Sequence, residues 1–240
     1  VCLCKEGKGR DFVPIAHICN AFVTKFGIPR QSGIVDEIIS RVEFEPEYRD
    51  PNAFRGILGY SHLWLLWEFS EHRKKPWSPT VKPPRLGGNT RVGVFATRSP
   101  FRPNPIGLSC VRLLDLIFER ENFPVLLVAG ADLMDGTPIY DIKPYLAYTD
   151  SHPDARGGFT DPDKNKKLKV HFAPELQEKL SGEEKAAVCN LLAIDPRPAY
   201  QHDENRIYGM AYAKYDIRFF VRGEELTICE IVLREEKGEA

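Results

Sequence analysis

Long apolar runs are missing from this 240-residue chain. The longest, Leu63 to Trp67 and Val125 to Ala131, fall far short of the roughly 20 residues that a membrane-spanning helix needs. Gly-x-Gly-x-x-Gly after a strand, the P-loop and His-Glu-x-x-His are missing too, so the common nucleotide and zinc templates do not apply. The chain opens Val-Cys-Leu-Cys with no charged segment ahead of an apolar block, and no signal peptide is expected. Cysteine is sparse and scattered: Cys2, Cys4, Cys19, Cys110, Cys189 and Cys229. A chain this long stabilises itself without disulfides, so the six predict a reduced, cytoplasmic protein. Cys4, His17 and Cys19 are the nearest approach to a metal set; no Cys-x-x-Cys supports them, and no metal is expected.

Acidic residues are absent from one window. Between His72 and Arg112 there are nine Lys or Arg residues and no Asp or Glu. The formal net charge of −1 conceals this, because 24 basic residues face 34 acidic ones elsewhere. Concentrated positive charge suits an anionic partner such as nucleic acid, and it equally suits a solvated surface stretch.

Apolar content of 42% and charged content of 28% describe a globular chain, long enough for one domain with a smaller appendage. Residues 11–148 read as mainly β. Val13 to Val23 and Ile34 to Phe44 have strand composition, and Gly107 to Phe118 with Pro124 to Ala131 fit adjacent antiparallel strands. Ser70 to Asn104 is a long loop rich in Pro and Gly, a type that is usually functional. Composition changes after Tyr148, and a second unit is expected over 165–236. It begins a helix near Pro174, starts another at a Ser181/Glu184 capping box, and ends in a hairpin about Gly223. The expected architecture is an N-terminal antiparallel β-barrel with a small C-terminal α+β domain.

The densest chemistry lies between Phe95 and Ser109. Arg98 and Arg102 are four apart among Pro100, Pro103 and Pro105, which forbid helix and stiffen the loop. A preorganised guanidinium loses less entropy when it clamps a carboxylate or phosphate. Ser109, His62 and Asp135 supply the types for a hydrolase triad, without the Gly-x-Ser-x-Gly elbow.

Seven stretches carry a resemblance. They are Arg30-Gln31-Ser32-Gly33, Ser61-His62-Leu63-Trp64, Pro83 to Asn89, Thr97 to Ser109, Asp135-Gly136-Thr137-Pro138, Asp141 to Tyr145 and Asp195 to Tyr200. In this order they resemble the TsaA-like, or TrmO, family. That likeness implies a tRNA methyltransferase using S-adenosylmethionine (SAM), built on a β-barrel and similar to dimers with the cofactor pocket near the partner subunit. Its implied reaction is methylation of N6 of threonylcarbamoyladenosine beside the anticodon. By position, SAM contacts would fall on Arg30, Gln31 and Ser32, on Glu71 and His72, on Arg102 and Arg112, and on Leu133, Met134, Asp135 and Gly136.

The local chemistry can be set beside that assignment. Arg102 suits the methionyl carboxylate, and Asp135 suits a ribose or amine donor, though Asp before Gly136 is also a simple turn signal. Leu133 and Met134 suit adenine walls as well as they suit a core. Candidates for the group that takes the N6 proton are Asp135 and Asp141. The threonyl carboxylate would call on Arg91, Arg98 and Lys143, the tRNA backbone on Lys82 and Arg85, and Tyr145 or Tyr200 could stack on a splayed base. Arg197 and Tyr200, in the second unit, point to substrate recognition there. The competing reading is a SAM-binding RNA- or protein-interaction module without catalysis.

Overall fold

The computed structural model describes residues 12–119, 123–163, 167–198, 201 and 203–234. Six strands close into an antiparallel barrel: β1 (Ala16–Cys19), β2 (Ile39–Phe44), β3 (His62–Glu68), β6 (Ile106–Phe118), β7 (Pro124–Ala129) and β8 (Pro138–Pro144), in the order β1-β2-β7-β6-β3-β8. The alternating patterns decide which face turns inward. Leu63, Leu65 and Trp67 of β3 meet Val111 and Leu113 of β6, Leu126 and Val128 of β7 and Ile139 of β8 in a closed apolar core. Closure leaves this sheet no free edge. Between β3 and β6 the long loop carries only two short strands, β4 (Thr80–Val81) and β5 (Val92–Gly93), paired with each other.

After the barrel come a short helix α1 (Ala147–Asp150) and strand β9 (Lys169–His171), then α2 (Pro174–Gln177), α3 (Gly182–Ala193), β10 (Tyr208–Tyr212), β11 (Tyr215–Arg222) and β12 (Glu225–Leu233). β10, β11 and β12 form an antiparallel meander with β9 added parallel to β12. The capping box at α3 is formed: Glu184 N–H donates to Ser181 Oγ at 3.2 Å, and Ser181 N–H donates to Glu184 Oε2 at 2.8 Å. Ala187, Val188, Leu191 and Leu192 bury one face of α3 against the sheet.

Two expected strand boundaries are corrected. Of the strand expected over Val13 to Val23, only Ala16–Cys19 pairs, and the strand expected from Ile34 begins at Ile39. Asn20 stops β1. Its Oδ1 accepts from Phe22 N–H at 2.9 Å, an Asx-type turn, and its Nδ2 donates to the Leu133 carbonyl at 2.9 Å. Residues 20–38 therefore leave the barrel, and Phe22, Val35 and Ile38 enter the second core beside Tyr212, Met210 and Leu191. Burying Phe22 there contributes on the order of 2–3 kcal/mol. Ala213 N–H donates to the Ala21 carbonyl at 2.9 Å, so the C-terminal unit grips this segment by backbone as well as by side chain.

Candidate active site

Two cavities adjoin at one end of the barrel, of about 220 Å³ and about 370 Å³. Trp67, Phe69 and Asp132 line both and form the wall between them. The smaller cavity is walled by Ile28, Met134 and Pro100, with Lys25, Glu71 and His72 at its polar side. The larger holds Arg30, Gln31, Arg98 and Arg102. One chamber is thus apolar enough for a flat heterocycle, and the other is cationic.

The dividing wall is built by the β3–β6 pairing. A register shift between Leu66 and Trp67 in the β3–β8 ladder turns the end of the strand, so that Trp67 and Glu68 are both buried. Trp67 stands across the ladder from Gly107, lies 4.3 Å from the Phe69 ring between centroids, and donates from Nε1 to Ser109 Oγ at 2.9 Å. Ser109 Oγ in turn donates to Asp132 Oδ1 at 2.5 Å. Burial pushes the Asp132 carboxyl above its ordinary range, opposed by the Ser109 hydrogen bond and the nearby Arg98 charge. Glu68 accepts from Tyr140 Oη at 2.5 Å and pairs with Arg73 at 3.1 Å. Lys25 and Glu71 meet at 2.7 Å at the side of the smaller cavity, and Lys25 is the main reason the Glu71 carboxyl is held below its usual range. Burial first, then Lys25, holds the His72 imidazole below its ordinary value.

The arginines divide their work. Arg98 Nη1 donates to Gln31 Oε1, and Gln31 Nε2 donates to the Arg30 carbonyl, which ties the loop to the 20–38 segment. Arg102 Nη1 donates to the carbonyls of Thr97 at 2.6 Å and Val94 at 3.2 Å, and its guanidinium lies 5.8 Å from the Phe95 ring. Arg102 therefore braces the loop while lining the chamber. Arg30 donates to the Arg197 carbonyl at 2.9 Å, across from one unit to the other.

Of the residues singled out from sequence, Arg30, Gln31, Glu71, His72, Arg98, Arg102 and Met134 come together at the cavities. The others lie elsewhere. Ser32 Oγ accepts from Cys110 N–H, outside the cavity linings, although its backbone N–H donates to the Asp132 carboxylate, and Arg112 is on the outer face of β6, 4.0 Å from Asp36. Leu133 belongs to the barrel core, and Asp135 accepts from Asn20 N–H at 2.9 Å in a turn completed by Gly136 at φ 71°. Asp141 pairs with Lys143 at 2.7 Å on β8, and Tyr145 packs against Trp64 and His62. On the long loop Arg85 donates to the Thr160 carbonyl and Arg91 to Thr80 Oγ1, while Lys82 is exposed. Arg197 is buried against Asp195 at 2.9 Å, and Tyr200 lies outside the described residues.

The triad types do not assemble: Ser109 is bonded to Trp67 and Asp132, His62 Nδ1 to Ser61 Oγ, and Asp135 to Asn20. Cys4 lies outside the described residues, and His17 pairs with Glu45 at 2.6 Å.

Asp132 is the residue that sequence reasoning passed over. Asp132 and Asp135 stand three apart, and Asp135, followed by Gly136, carries the turn signal. That left Asp132 without a local structural task, which is the signal that would have found it.

An all-antiparallel barrel with a two-chambered cleft at one end, in place of a parallel sheet with a glycine-rich turn, defines a ligand-binding β-barrel of the non-Rossmann kind. The chain belongs to the tRNA-methyltransferase O family: the family's N-terminal domain matches residues 17–151 and its C-terminal domain residues 165–234. It is 40% identical over 218 residues to the tRNA (adenine(37)-N6)-methyltransferase of Escherichia coli, covering 88% of this chain and 92% of that protein. A Pseudomonas aeruginosa relative whose name gives it S-adenosylmethionine dependence is 38% identical over 216 residues, 86% of this chain and 90% of that protein. The crystal structure of TrmO from Pseudomonas aeruginosa superposes with a TM-score of 0.76 at 32% identity, over 95% of this chain and 99% of the other.

Proposed function

We propose that this protein transfers a methyl group from SAM to N6 of adenosine 37 in tRNA, the reaction named for its Escherichia coli relative. The observation that carries this is the shared wall: Trp67 and Phe69 with one carboxylate, Asp132, between an apolar chamber and a cationic one. The residues fit the donor. An adenine suits Ile28, Met134 and Phe69, a sulfonium suits aromatic faces beside a carboxylate, and a methionyl carboxylate suits Arg98 or Arg30. When bound, SAM supplies an electrophilic methyl on a cationic sulfur. The chain's own contribution is to exclude water with Trp67 and Phe69 and to hold donor and base in line.

The finer substrate in this reading is threonylcarbamoyladenosine, whose added carboxylate matches the arginine chamber. Approach of the anticodon loop is supported by the long loop, where Trp77 and Phe95, 51% and 74% exposed, alternate with Arg73, Lys74, Lys75 and Lys82. Such a substrate sets the reaction in the cytoplasm.

A dimer belongs to the same reading. Ile106 and Leu108 on the outer face of β6 are 40% and 50% exposed and also line the cationic chamber, so a second copy seated there would roof the cleft. Leu108→Asp should turn the dimer into a monomer in sedimentation.

The test of activity is direct. Purified protein incubated with SAM and threonylcarbamoylated tRNA should add one methyl to that nucleoside, read by mass spectrometry after digestion. SAM binding with tRNA unchanged in mass would reject the transferase.

A further inference from the structure

The hydrogen-bond directions at the shared wall are forced. An indole N–H only donates, so Trp67 Nε1 occupies a lone pair of Ser109 Oγ. The single Ser109 hydroxyl proton then goes to Asp132 Oδ1 at 2.5 Å. Ser109 is wholly buried and Trp67 nearly so, which holds the arrangement rigid. Oδ1 is committed as an acceptor of the Ser109 proton, and Oδ2 is the oxygen that Ser109 does not engage; the backbone N–H groups of Ser32 and of Asp132 itself also donate to this carboxylate and hold it in place.

Resting on the reading above, we propose that Asp132 is the proton acceptor of the reaction, and that until it accepts the proton it is the counter-charge of the sulfonium. The step balances: N6–H breaks as N6–CH3 forms, the S–CH3 electron pair stays on sulfur, and the proton goes to Oδ2 of Asp132. The logic is electrostatic. A cationic sulfur keeps the neighbouring carboxylate ionised. Once that charge has gone, the same partly buried carboxylate is left uncompensated and its affinity for a proton rises. The charged groups sharing its surroundings are Arg30, Arg98 and Arg102 in one chamber and Lys25, Glu68, Glu71 and His72 in the other. Among them Arg98 is the cation whose charge opposes the upward push of burial on Asp132.

SAM and S-adenosylhomocysteine differ in that single charge, so equilibrium binding reads the proposal without turnover. Calorimetric titration of both ligands from about pH 5 to about pH 8 should show SAM affinity falling on acidification, by at most about tenfold per pH unit, while the homocysteine ligand stays nearly level. In Asp132→Asn the two should run parallel, and single-turnover methylation at saturating SAM should slow by about 10²–10⁴-fold. Ser109→Ala removes the hydrogen bond that lowers the Asp132 pKa, so the divergence of the two ligands should move to higher pH. The proposal is overturned if Asp132→Asn keeps the divergence, which would assign it to His72 or a glutamate. It is also overturned if the variant methylates within about threefold of the parent, or if the wild type shows no divergence. Failure of wild type to bind either ligand would instead remove the methyltransferase reading, and this proposal with it.

Discussion

A Cβ built on Gly107 would lie 2.2 Å from Cε2 of the Trp67 indole, directly across the β3–β6 ladder. No carbon pair tolerates that distance, so the indole occupies space that exists only because residue 107 lacks a side chain. The same indole walls both cavities and anchors Ser109. Gly107→Ala should therefore cost about 1–3 kcal/mol through overpacking and displace the wall. Thermal unfolding should show the loss of stability, and calorimetry a loss of SAM affinity. An unchanged melting temperature would mean that Trp67 has room to turn aside.

Arg98 and Arg112 separate site from surface. Arg98 lines the cationic chamber, whereas Arg112 sits on the outer face of β6. Arg98→Ala is expected to lower kcat/KM at least about tenfold, the scale of one lost charge-assisted contact. Arg112→Ala should stay within about twofold. Equal losses in steady-state kinetics would contradict this placement.

Gly27 packs against the second core. It has φ +96°, and a Cβ there would fall 2.5 Å from Met210 Cγ on β10. Gly27→Ala combines backbone strain with a clash, and about 1–3 kcal/mol of destabilisation is expected. Because Arg30 and Gln31 ride on the same segment, KM for the ligands should rise and amide exchange across 20–38 should accelerate. Adding Met210→Ala should recover part of the loss and not all of it, since the left-handed backbone remains.

Tyr212 supplies a pH test of the interface between the units. Burial pushes its hydroxyl from the ordinary 10 up to about 12. The folded state therefore holds this proton where the unfolded state releases it. Its contribution is fully present below about pH 10 and is lost as the pH rises toward about 12, by up to about 2–3 kcal/mol. Tyr212→Phe removes this term. Urea unfolding at about pH 9 and about pH 11.5 should show a smaller alkaline loss in the variant than in the parent.

Much of the architecture was legible because its causes are local. The apolar runs Gly107 to Phe118 and Pro124 to Ala131, the Ser181/Glu184 cap and the Gly223 turn each depend on residues within a few positions of one another. The proline-stiffened loop with Arg98 and Arg102 was equally readable, and so were the ordered motifs that mark the family. Local reading misjudged β1, where Asn20 diverts an apolar run whose composition still looks like strand.

By itself the sequence determined the β character of residues 11–148, the helix and hairpin of the second unit, and a stiff cationic loop. The tertiary structure decided which carboxylate and which arginines share a cavity. Asp132 meets Trp67, Phe69 and Ser109 only because barrel closure brings β3, β6 and the turn after β7 to one wall. Asp135 and Arg112, just as suitable in type, are drawn into a turn and onto the outer face. Residue type supplies the chemistry of a group, but long-range closure decides its dielectric, its partners and its access to a ligand, and these have no period along the chain.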